Sequence, residues 1–82
     1  MHYVYVLKKP SSAMVYIGYS GNLKQRIAEH SRSANHHGWL LVYCEAYQDD
    51  TDARRRERKL KQYGSSWGSL KKRIPNSMRS RQ

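Results

Sequence analysis

The sequence predicts a small α+β domain, and three observations carry that prediction. Residues 3–7 (Tyr-Val-Tyr-Val-Leu) and 14–19 (Met-Val-Tyr-Ile-Gly-Tyr) are rich in β-branched and aromatic side chains and flank a turn, the pattern of paired strands. The longest apolar run, residues 39–44, has the length of a strand and falls far short of the ~20 residues that a membrane span needs. Two polar segments carry apolar residues at helical spacing behind good capping residues.

Taken in order, the first strand runs into Lys8-Lys9-Pro10-Ser11-Ser12-Ala13, a turn built on the proline and two serines. Folding the hairpin about the Pro10–Ser11 bond sets Tyr5 directly opposite Tyr16, with Cβ atoms roughly 4.5–5.5 Å apart. Tyr3, Tyr5 and Leu7 then share one face with Met14, Tyr16 and Gly18, while Val4 and Val6 share the other with Val15, Ile17 and Tyr19. Ser20-Gly21-Asn22 supplies the turn and N-cap for a helix over roughly 22–32. On that helix Leu23, Arg26, Ile27 and His30 fall within about 100° of arc, so the stripe that should be apolar carries an arginine and a histidine. Ser31 to Gly38 form a polar loop in which His36 and His37 are expected to face solvent.

A third strand over residues 39–47 puts Leu40, Val42, Cys44 and Ala46 on one face. Asp49-Asp50-Thr51-Asp52 places acid at the positive end of a second helix, about 51–63, closed by Gly64 as its C′ residue. Ala53, Glu57, Leu60 and Gly64 lie within about 40° of one another on its wheel, which makes Glu57 a carboxylate on the core-facing stripe. Residues 66–74 form a short third helix anchored by Trp67, Leu70 and Ile74. Residues 1–74 thus read as one domain and 75–82 as a basic, flexible tail.

Composition narrows the function. With 82 residues there is room for a single small domain. Leu, Ile and Val together number 13 and Phe is absent, so part of the core must come from the seven tyrosines and two tryptophans, each able to bury about 150–250 Å². The lone Cys44 excludes an internal disulfide and a cysteine zinc site, and suits a reducing cytoplasm. The first charges after Met1-His2 follow the apolar stretch, the reverse of a secretory signal. Sixteen Lys and Arg against six Asp and Glu give a net charge of +10, which points to a polyanionic partner, nucleic acid first and a membrane surface second. Arg54, Arg55, Arg58, Lys71, Lys72 and Arg73 are the expected phosphate contacts. No helix-turn-helix, zinc finger or other base-reading module is apparent, so specificity is expected from DNA structure or from a protein partner.

Five polar residues stand where apolar ones belong: Tyr5, Tyr16, Arg26, His30 and Glu57. Each alone has an ordinary structural account, as amphipathic sheet tyrosines, a helix-end histidine and an Arg26–Glu57 ion pair. Their coincidence is what a functional site looks like. The set suits phosphodiester hydrolysis. One inward carboxylate is enough for a Mg²⁺ that keeps several waters and takes phosphate oxygens. Arg26 can hold the scissile phosphate by two hydrogen bonds. A tyrosine near pKa 10 is only about 0.1% ionised at pH 7, and neighbouring cations are expected to lower that pKa.

Tyr3-Val4-Tyr5, Tyr16-Ile17-Gly18, then Arg26 and His30 on one helix and Glu57 on the next resemble the GIY-YIG nuclease superfamily. The resemblance spans about residues 2–74. It is closest to small stand-alone bacterial members related to the nuclease domain of the excision-repair incision subunit. The second motif is intact, whereas the first replaces Gly-Ile-Tyr by Tyr-Val-Tyr and keeps its tyrosine. The resemblance implies a three-stranded antiparallel sheet flanked by helices, and DNA hydrolysis assisted by one divalent metal, Mg²⁺ or Mn²⁺. By the same resemblance Tyr5 is general base or water-positioning group with Tyr16 beside it, Arg26 is the phosphate clamp, His30 an accessory base or orienter, and Glu57 the metal ligand. Asn76 is the only asparagine after the glutamate helix, and the loop from Ser31 to Gly38 is short for a small member. Two other readings carry their own signatures: a non-catalytic nucleic-acid-binding module, with Glu57 locked in an ion pair, and a basic adaptor for an acidic protein or membrane face.

Overall fold

The computed structural model describes residues 1–79. Three strands, β1 (His2–Lys8), β2 (Val15–Ser20) and β3 (Leu40–Tyr47), form an antiparallel sheet in the order β2-β1-β3. Four helices accompany it: α1 (Leu23–Ser31), α2 (Asp50–Lys61), α3 (Ser65–Arg73) and α4 (Pro75–Met78). This is an α+β fold with a three-stranded antiparallel sheet flanked by helices.

Strand alternation places Val4, Val6 and Ile17 on one face, where they pack with Ala53, Leu60, Trp67 and Leu70 from α2 and α3. Tyr5, on the opposite face, is completely buried, so tyrosine does enter the interior as the shortage of aliphatic residues requires. Helix α1 begins at the expected cap: the Asn22 side chain accepts the Gln25 N–H at 3.1 Å. Asp49 does the same for α2, accepting from the Thr51 and Asp52 N–H groups.

Several sequence expectations are corrected. The hairpin register lies two residues from the expected one: Tyr5 pairs with Gly18, and Tyr16 pairs with Leu7. The turn is centred one residue later, with Ser11 in the left-handed region (φ 59°) and the Lys9 N–H donating to the Met14 carbonyl at 3.0 Å. Because side chains alternate with period two, this shift leaves both face assignments intact. In β3 the alternation is broken by a register shift: Val6 pairs with Tyr43 but Leu7 with Leu41. Val42 therefore joins Tyr43 and Tyr47 against the core, while Cys44 and Ala46 are exposed on the other face. The left-handed residue after α2 is Tyr63 (φ 55°), not Gly64, which instead precedes α3 and accepts the Gly68 N–H at 2.9 Å. Residues 75–78 are helical, with Ile74 and Met78 packed on the core, so the expected tail cannot begin at Pro75. Its last residues, 80–82, lie outside the described residues.

Candidate active site

The site is built around Tyr5. Its position on the central strand buries the ring, and the ring leans across Gly18 on β2. A Cβ at Gly18 would lie 2.5 Å from Tyr5 Cζ and 3.0 Å from the Tyr16 ring. Glycine is needed there for close approach and not for backbone freedom. The Tyr5 hydroxyl reaches His30 Nε2 at 2.8 Å, across 25 residues of chain. Tyr16 lies beside both, with ring centroids 6.3 Å from Tyr5 and 5.2 Å from His30. Thus β1, β2 and α1 bring Tyr5, Tyr16 and His30 together.

The electrostatics differ from the sequence expectation. Burial pushes the Tyr5 phenol up to about 12, reinforced by Tyr16, and the nearby Arg26 guanidinium offsets this only in part. Cations therefore do not lower its pKa in the free protein, because desolvation outweighs them. His30 is shifted the other way, below its ordinary value, first by burial and then by His36 and Arg26, with Glu29 opposing. A neutral imidazole facing a protonated phenol is the stable arrangement near neutral pH. With Nδ1 carrying the imidazole proton, Tyr5 donates and Nε2 accepts.

Arg26 sits one turn before His30. Its guanidinium donates to the Tyr19 carbonyl at 3.4 Å and pairs with Glu29 at 3.2 Å, beside a cavity of about 320 Å³ lined in part by Asn22, Gln25 and Glu29. The Arg26–Glu57 ion pair of the purely structural account does not form, since Arg26 pairs with Glu29. Glu57 pairs instead with Lys61, one turn along α2, at 2.9 Å. The Lys61 ammonium is raised above its usual pKa chiefly by Glu57 and also feels the Tyr16 phenol. No hydrogen bond or ion pair joins Glu57 to Tyr5, Tyr16, Arg26 or His30 among the described residues.

The Glu57 side chain is 19% exposed, neither sealed nor free in solvent. No group of three or more His, Cys, Asp or Glu side chains able to hold an ion occurs among the described residues. This donor set fits a hard dication that keeps most of its waters and takes its other ligands from phosphate; it does not fit an ion caged by protein.

Another carboxylate, Glu45, is occupied differently. It takes three hydrogen bonds from Arg56 at 3.0–3.2 Å and one each from Tyr43 and Tyr47. These bonds hold its carboxyl below the usual range despite burial. Both tyrosines are pushed up to about 12 by burial and by this carboxylate.

His36 corrects the expectation of a solvent-facing loop residue. It is half-buried, with its ring 4.4 Å from Tyr16, 5.0 Å from His30 and 4.9 Å from Trp39. Nothing in its local sequence marks it, since the capture depends on where the loop folds. His37 is exposed and bonds the Ser31 carbonyl at 2.7 Å. Asn76 borders β3 beside Leu41 and Val42, at the sheet edge opposite β2, so the structure does not bring it to Tyr5.

The expected phosphate contacts are all exposed. Arg54 bonds Asp50 at 2.9 Å and lies 4.4 Å over the Tyr19 ring, and Arg55 approaches Asp52 at 3.8 Å. Lys71 sits 5.8 Å over the Trp67 ring. No helix among the described residues is long and apolar enough to cross a membrane.

No curated protein and no solved structure matches the chain. The GIY-YIG catalytic domain family, however, matches residues 1–73, nearly the whole length. With that match and an α+β sheet that carries both tyrosine motifs, the chain belongs to the GIY-YIG nuclease superfamily.

Proposed function

We propose that this chain is a metal-dependent endonuclease that hydrolyses DNA phosphodiester bonds with little base specificity, directed by DNA structure. The observation that carries the reading is the 2.8 Å contact between the buried Tyr5 hydroxyl and His30 Nε2, with Tyr16 and Arg26 beside it. A phenol at about 12 is ionised to roughly one part in 10⁵ at pH 7, so Tyr5 is not a base in its own right. Paired with a neutral histidine it becomes a relay. As water attacks phosphorus, the water proton passes to the Tyr5 oxygen while the Tyr5 proton passes to His30 Nε2. The leaving oxygen takes its proton from solvent, and the imidazolium returns one to solvent.

Arg26 binds the non-bridging oxygens and stabilises their developing charge. Its present partner Glu29 is half-exposed, so phosphate displaces a weak pair. Glu57 would hold the Mg²⁺ or Mn²⁺, which supplies Lewis-acid charge at the phosphate when bound. The exposed Arg54, Arg55, Arg58, Lys71, Lys72 and Arg73 bind backbone phosphates without reading bases. The net charge of +10 and the free thiol of exposed Cys44 support work on DNA in a reducing cytoplasm.

Cleavage of plasmid and branched DNA, with and without Mg²⁺, tests the reading. Wild type should cut only with the metal, and Tyr5→Phe and Glu57→Ala should each remove most of that activity. Equal trace cutting by all three proteins would defeat it. The Glu57–Lys61 pair favours a second reading, a non-catalytic DNA-binding module. That reading predicts salt-sensitive binding indifferent to metal, and Glu57→Ala protein that binds DNA as wild type does.

A further inference from the structure

We infer that His36 is a positioning residue of this site: from the α1–β3 loop its ring wedges against Tyr16, His30 and Trp39, and so sets the plane in which His30 meets Tyr5. The inference rests on the nuclease reading for its effect on cutting, though its geometry is independent of that reading. His30 and His36 meet edge to face (86°, 5.0 Å), as do His36 and Trp39 (89°, 4.9 Å). His36 thus occupies a slot with aromatic walls on three elements: Tyr16 on β2, His30 on α1 and Trp39 before β3.

The need for such a wedge follows from how α1 is held. None of its residues is fully buried, so packing alone does not settle the orientation of its last turn. A half-buried imidazole without lateral contacts samples more than one ring plane, and a relay tolerates little misplacement. The loop is built to bring His36 back. The Ser33 N–H donates to the His30 carbonyl at 3.0 Å, His37 Nδ1 contacts the Ser31 carbonyl, and the Trp39 N–H closes on the His36 carbonyl at 3.1 Å. Gly38 takes φ +82°, a left-handed conformation that an L side chain rarely adopts, to send the chain into β3.

The contacts His36 makes are ring to ring, and no hydrogen bond to its ring is found among the described residues. Its role is therefore shape, which an apolar ring can fill. The ionisable and charged groups facing His30 are Tyr5 on β1, Tyr16 on β2, Arg26 and Glu29 on α1, and His36 in the loop. Burial works most against protonation of His30, followed by His36 and Arg26, with Glu29 opposing. Removing His36 should let the His30 pKa rise.

Wild type, His36→Ala and His36→Phe decide the matter, read by steady-state cleavage with Mg²⁺ and by NMR titration of the His30 ring. His36→Ala should lower kcat roughly tenfold with KM little changed, because substrate contacts remain while the relay loses its alignment. It should also raise the His30 pKa. His36→Phe should restore kcat to within about threefold of wild type. The proposal is overturned if His36→Ala cuts like wild type with an unmoved His30 titration, or if His36→Phe is as slow as His36→Ala, since the imidazole itself would then be required. Should wild type fail to cut at all, the nuclease reading falls, and NMR ring-to-ring NOEs between His30 and Tyr5, compared in wild type and His36→Ala, still decide whether His36 positions it.

Discussion

On the sheet face turned to α2, Val4, Val6 and Ile17 meet Ala53, Leu60, Trp67 and Leu70 in a closed apolar layer. On the face turned to α1, Tyr5, Tyr16, His30 and His36 meet through ring edges and one hydrogen bond, under a helix that buries no residue completely. The two carboxylates repeat the contrast. Glu45 takes hydrogen bonds from Arg56 and two tyrosines, whereas Glu57 has a single lysine partner. The α2 side of the sheet is a closed apolar layer, whereas the α1 side is a looser cluster of rings. A saturated polar group rigidifies the fold, whereas a polar group with spare capacity remains available to a ligand.

This contrast can be broken by substitution. The largest effect is expected for Glu57→Gln, which should lower Mg²⁺-dependent cleavage roughly 10³-fold, about 4 kcal/mol at the barrier, and leave the thermal midpoint near wild type. Glu45→Gln should do the reverse, because it leaves Arg56 without its charge partner: about 3 kcal/mol of folding stability lost in a urea melt, with the folded protein cutting normally. If the two variants behave alike, the contrast between the two carboxylates is wrong.

Gly18→Ala probes the close packing of Tyr5 against β2. The new Cβ must displace a buried Tyr5 ring, so about 2 kcal/mol of stability and at least roughly tenfold in kcat should be lost together. The pH dependence sharpens the Glu45 assignment. Its carboxyl is held below the ordinary value of 4.5, so its contribution is complete above that pH and is lost as pH falls through the lower native value. Wild type should lose this increment in acid melts, and Glu45→Gln should not. The smallest effect is expected for Glu29→Ala, which frees Arg26 from a half-exposed pair and should raise kcat/KM about twofold, in line with the ~0.2–1 kcal/mol of such pairs.

Local pattern alone placed the three strands and the first three helices, the cap at Asn22, and the division of side chains between the two faces of the hairpin. The last survives a two-residue register change because alternation is a property of neighbouring residues along one strand. Tyr5, Tyr16, Arg26, His30 and Glu57 stood out in the sequence as polar residues where apolar ones are expected; the structure brings Tyr5, Tyr16 and His30 into contact. Only the tertiary structure decided that Tyr5 lies over Gly18 and that Val42 shifts the register of β3. The place of His36 in the ring cluster was decided there too. Those outcomes depend on contacts between segments far apart in the chain, which leave no periodic trace in the sequence.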